Sequence, residues 1–139
     1  MPWKTTMDRA RKDLKEGKRP TTAAGEFVKE ELEHVRRGKH GARSPGQAIA
    51  IGLSKARRAG VPLRPPRKGR TSERTCRSAQ AAYEVGQGLR KPRAPSRRRG
   101  RATERALKRE PHSSASHAAL SRQAKAAAAR RRRRGPASK

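Results

Sequence analysis

Ala24-Gly25-Glu26-Phe27-Val28-Lys29-Glu30-Glu31-Leu32-Glu33-His34-Val35 places Ala24, Phe27, Val28, Leu32 and Val35 on one stripe of a helix, with Glu26, Glu30, Glu31 and Glu33 around it. It is the strongest amphipathic signal in the chain and predicts a helix that starts near Thr22. Glycines at 17, 38 and 60 recur every 21 or 22 residues, each just after a stretch that reads as helix. Such positions suit a left-handed helix stop, which costs little without a Cβ. The quoted stretch is therefore the middle of three short helices. The first covers about Thr6 to Glu16, with Met7, Ala10 and Leu14 on one face. The third opens at Ser44-Pro45-Gly46-Gln47, where Ser44 supplies an N-cap hydroxyl, Pro45 sits at N1, and Gln47 can reach back to the cap's own N–H. Its body is Ala48, Ile49, Ile51, Leu53 and Ala56. Lys55, Arg57 and Arg58 oppose the dipole in its last turn, and Gly60-Val61-Pro62 closes it. The fold expected is all-α, with a small three-helix N-terminal module over residues 1–63.

Beyond it, Arg64-Pro65-Pro66-Arg67-Lys68-Gly69 reads as a stiff linker over residues 64–71. Residues 72–85 form a possible satellite helix with Cys76, Ala79 and Tyr83 on one side, a face too narrow to hold a partner firmly. Residues 86–139 read as a largely disordered but helix-prone Arg/Ala-rich tail. Helix is possible from Arg101 to Glu110, where Pro111 ends it, and from Ser116 to Arg134. There alanine and arginine favour helix while five consecutive arginines repel one another. That last helix is expected to fray in water and to order on an anion.

Composition sets the partner class. Of 139 residues, 39 are Lys or Arg and 11 are Asp or Glu, a net charge of +28. Leu, Ile, Val and Phe together number 14, a signature of chains that stay at least partly disordered. One large core is excluded, and an enzyme is not expected, because Trp3, Phe27 and Tyr83 are the only aromatics available to wall a dry site. The charge is uneven, with net +8 in residues 1–60 and net +20 in 61–139. Cys76 stands alone, which excludes an intramolecular disulfide scaffold. The N-terminal Met-Pro-Trp-Lys-Thr-Thr has no apolar signal segment, and the longest apolar stretch, Ala48 to Leu53, is too short to cross a bilayer. A soluble cytoplasmic protein of the nucleoid is the resulting expectation.

No catalytic, cofactor or metal site is expected. His34, His40, His112 and His117 show no i, i+4 or Cys-x-x-Cys spacing and read as surface histidines. No serine sits in a Gly-x-Ser-x-Gly elbow, and no glycine-rich loop precedes Lys-Ser/Thr. The glutamates of the second helix read as a solvated face paired with Lys and Arg. The basic clusters are different, since a small soluble domain needs only a few surplus charges. Arg97, Arg98, Arg99 and Arg101, then Arg130, Arg131, Arg132, Arg133 and Arg134, are dense enough to neutralise neighbouring phosphates and release their counterions. Lys39, Arg43, Arg57 and Arg58 are the corresponding candidates in the module. Arginine outnumbers lysine 27 to 12, favouring bidentate phosphate contacts. No helix face with Asn, Gln and Arg for reading bases stands out, so DNA binding should tolerate any sequence. RNA or ribosome association would use the same cations. A different class of function, a protein-interaction adaptor, would dock a partner on Phe27, Leu32 and Ile49 and use the tail as an anchor.

Glu16-Gly17-Lys18, Thr21-Thr22-Ala23-Ala24-Gly25-Glu26-Phe27-Val28, Gly38-Lys39-His40-Gly41-Ala42-Arg43-Ser44 and Gln47 through Gly60 together resemble an uncharacterised family of short basic bacterial proteins. The resemblance covers residues 4 to about 69, and residues 101–110 and 116–124 are similar to the C-terminal part of longer members. It implies a bacterial source and brings no activity with it. The Ala/Arg-rich end resembles linker-histone-like bacterial tails in composition only.

Overall fold

Glycine and serine set the ends of the helices. In the computed structural model, which describes residues 2–94 and 96–135, Gly17, Gly38 and Gly60 have φ of 78°, 78° and 104°. After each, the next N–H folds back: Lys18 donates to the Asp13 carbonyl, Lys39 to His34 and Val61 to Ala56. These Schellman closures satisfy carbonyls the helix leaves open. They end α1 (Lys4–Lys15), α2 (Pro20–Arg36) and α3 (Pro45–Arg58). Further on come α4 (Glu73–Gly86), α5 (Arg97–Arg109), a single 3-10 turn (Ser113–Ala115) and α6 (His117–Arg134). The fold is all-α, with six α-helices and no strand among the described residues.

Four of the helices start on a serine. Ser44, Ser72, Ser96 and Ser116 accept the N–H three residues on, from Gln47, Thr75, Arg99 and Ala119, at 3.2 to 3.4 Å. The return bond at α3 differs from the expected capping box. Gln47 Oε1 accepts the Arg43 N–H at 2.6 Å, one residue before the cap.

α2 is the central helix, packed between α1 and α3, and α4 covers another side of α3. Phe27, 1% exposed, fills the middle with Ala10, Ala23, Ala24, Ala56 and Val61, edged by Met7, Leu14, Leu53 and Leu63. Ten of the thirteen buried apolar residues described are alanines. With such short side chains the helices approach closely. A Cβ at Gly52 would lie 2.7 Å from Val28 Cα, so glycine is what lets α3 cross α2 there. α4 buries Ala79 and Ala82, while Cys76 and Tyr83 are only partly covered.

The C-terminal half departs most from expectation. A second core joins Val35, Ala42 and Ala48 to Ala115, all with no exposed surface, and Leu32 packs beside them. Gly41 donates its N–H to the Leu107 carbonyl at 2.8 Å, and Ala42 donates to Pro111 at 3.0 Å. The Arg36 Nε–H reaches the Ala115 carbonyl at 3.0 Å. The chain between α5 and α6 is thus a wall of the module rather than part of a disordered tail, and the helices held possible over residues 101–110 and 116–134 are present as α5 and α6. Serine caps start both helices, and one small residue, Ala115, suffices to plug a gap already lined by alanines.

Candidate nucleic-acid interface and buried polar cluster

α5 contains no buried residue. At about 100° per residue, Arg97, Arg98, Arg101, Arg105, Lys108 and Arg109 fall within an arc of about 120°, and Arg99 lies outside it. Lys108 pairs with Glu104 at 3.2 Å, the only ion pair on this helix among the described residues. The other cations face solvent with their charge uncompensated. α6 ends in Arg130, Arg131, Arg132, Arg133 and Arg134, all exposed. Five consecutive positions go fully round a helix, so they make a cationic cylinder, placed at the C-terminus where the dipole favours positive charge.

The candidates in the module divide. Lys39, Arg43 and Arg58 are exposed. Lys39 Nζ lies 5.2 Å and Arg37 Cζ 5.5 Å from the Trp3 ring centroid, so this end of α2 carries two cations against one aromatic ring. Arg57 does not belong to the surface. It is 8% exposed, and its guanidinium donates to the Leu63 carbonyl at 3.1 Å and the Arg64 carbonyl at 3.3 Å. Burial pushes its pKa down from the usual arginine value. Arg57 ties the linker onto α3, a structural role. Lys18 is also occupied: hydrogen bonds to Asp13 and Glu16 hold it above the usual lysine range.

Sequence reasoning passed over one basic feature. Arg58, Arg90, Lys91 and Arg93 line a groove of about 770 Å³ whose floor includes Ala81, Ala82 and Val85 of α4. The signal was Gly88, whose φ of 76° turns the chain so that Leu89 N–H meets the Glu84 carbonyl and the next residues run back beside α4. The three residues named for an adaptor face are covered to different degrees. Phe27 is enclosed by α1, α2 and α3, and Leu32 and Ile49 are partly covered.

Behind the surface lies a polar cluster. Glu31 has no exposed surface, Glu30 is 2% exposed and His34 is 8% exposed. These residues were expected on a solvated face, but α2 is covered on more than its apolar stripe because α1, α3 and the loop after α2 all pack on it. His40 is partly buried in that loop. The Lys55 ammonium from α3 donates to Glu31 Oε1, and the Trp3 backbone N–H donates to Glu30 Oε1. His34 Nδ1 lies 3.5 Å from Glu31 Oε1, and His40 Nε2 lies 3.2 Å from Glu31 Oε2. The Trp3 ring meets His34 edge-on at 4.9 Å. Burial pushes the His34 pKa down from its ordinary value, with Glu31 opposing, so the neutral imidazole is favoured. Glu30 Oε2, Glu31 Oε2 and His34 Nε2 are buried without a hydrogen-bond partner.

No protein-family model, no curated protein and no solved structure matches this chain. No helix among the described residues is long and apolar enough to cross a membrane.

Proposed function

We propose that this is a non-enzymatic DNA-binding protein of the nucleoid that grips duplex phosphates without reading sequence. The observation that carries this reading is the cationic arc of α5, exposed along about 20 Å of helix and almost free of acidic partners. A duplex carries one phosphate charge per roughly 1.7 Å of axis, so a helix of that length laid along a groove meets phosphates at every turn. The arginine cylinder of α6 supplies a second hold, and its last turns fray when free and tighten once phosphates screen the five charges. The groove of Arg58, Arg90, Lys91 and Arg93 adds a third patch. The helical module carries all three patches on one chain.

Binding of the full chain to several unrelated duplexes, measured by fluorescence anisotropy against salt, tests the proposal. With about 6 to 10 phosphates neutralised, affinity should fall a thousandfold or more between 50 and 200 mM salt and differ little among sequences. A flat salt profile, or strong preference for one short sequence, overturns it. Tighter binding to RNA of equal length and charge would move the reading to an RNA-associated protein.

A further inference from the structure

We propose that Glu31, His34 and His40 form a binding site for a divalent transition-metal ion of the zinc class. One ligand atom from each lies within 4.8 Å of the other two, and the set contains two imidazoles, which are borderline donors, and one carboxylate, a combination that zinc accepts. The proposal is independent of the DNA-binding reading.

The geometry asks for a cation. His40 Nδ1 lies 2.8 Å from the Gly41 carbonyl oxygen, which can only accept, so Nδ1 is the donor and the ring is oriented with Nε2 toward α2. Nε2 then faces Glu31 Oε2 at 3.2 Å, which brings two candidate ligand atoms side by side. A ring nitrogen oriented by a backbone carbonyl on its far side is also how metal-bound histidines are held. Glu31 Oε2 is enclosed and unpartnered, which would otherwise cost stability with no return. Lys55 already occupies Glu31 Oε1, leaving Oε2 as the free ligand atom.

Tetrahedral zinc at about 2.0 to 2.1 Å from each donor sets the donors roughly 3.4 Å apart, so the site must contract slightly on binding. His40, on a loop and partly open to solvent, is the member that can move. The ion would pin that loop against α2. The loop also holds Gly41 and Ala42, which bond to Leu107 and Pro111, so the metal would fasten the module to the segment between α5 and α6.

The test uses the full chain, free of tag and nucleic acid, in a Cys76→Ser background that removes the thiol as a ligand. Titration with Co²⁺ should give visible absorption of a low-coordinate ion at one equivalent, and calorimetry with Zn²⁺ the same stoichiometry. His40→Ala should weaken Zn²⁺ binding by more than about tenfold with an unchanged circular dichroism spectrum, and His34→Gln should do likewise. The double variant His112→Ala/His117→Ala should bind as the parent does. Zinc at a hundredfold excess over Kd should raise Tm by about 5 °C or more in the parent and not in His40→Ala. Absence of stoichiometric binding overturns the proposal, as does binding unchanged by His40→Ala.

Discussion

Replacing Arg97, Arg101, Arg105 and Arg109 with Gln removes four charges from one side of α5. All four are exposed and none is in an ion pair among the described residues. Gln keeps nearly the same helix propensity as Arg, and the backbone tie from this helix to the module, the Leu107 carbonyl to Gly41, is untouched. If each arginine neutralises one phosphate, the slope of log affinity against log salt should become shallower by about 3.6. At 150 mM salt the same term amounts to about a thousandfold loss of affinity, or about 4 kcal/mol. The control removes the same formal charge elsewhere: Arg11, Lys12, Lys18 and Arg77, each paired with an acidic neighbour, changed to Gln. Its slope should shift by less than about 1. Anisotropy titrations at four or more salt concentrations, with circular dichroism to confirm equal helix content, provide the comparison. Equal shifts from the two variants would refute the reasoning, because net charge and not the α5 face would then govern binding.

Phe27→Ala should cost about 3 kcal/mol or more in urea unfolding, since Phe27 is the largest apolar side chain in the core and its alanine neighbours cannot swell to fill the gap. Ser44→Ala should cost about 1 kcal/mol by removing the α3 cap. Gly41→Ala would bring a Cβ to 1.8 Å from the Glu110 carbonyl, so hydrogen exchange should show lost protection at Gly41 and Ala42 and stability should fall by about 1 to 3 kcal/mol. Gly25→Ala, with helical backbone and nothing within 4 Å of the new methyl, should instead stabilise by about 0.5 to 1 kcal/mol.

Local signals in the sequence carried far. Gly17, Gly38 and Gly60 stop helices through bonds that span only a few residues, and Ser44 caps α3 through one, so both are written in adjacent letters. The stripe from Ala24 to Val35 likewise placed Phe27 and Val35 inside. What could not be read was how much of α2 would be covered. Glu31 and His34 look solvated when only their own helix is considered, and they become interior because α1, α3 and the loop at His40 close over them. Arg57 illustrates the same limit, since its carbonyl partners are supplied by a linker that periodicity does not position. The contacts of Gly41 and Ala42 with Leu107 and Pro111 cross more than sixty residues of chain. Nothing in the composition of the basic half marks Ala115 as different from the other alanines of that half.

The alanine interior makes the protein's tolerance of substitution one-sided. A core of leucine or phenylalanine loses most when a side chain shrinks, because shrinking leaves a void. Here positions such as Ala23, Ala24, Ala48 and Ala115 have one methyl to lose and no room to gain a second. Enlargement to Val or Leu must push whole helices apart, whereas reduction to Gly removes little volume. Sequence drift in this interior would therefore run through Ala, Gly and Ser and stop at every branched residue. The exposed arginines outside face no such steric limit, so interior and surface would diverge by different rules in the same short chain.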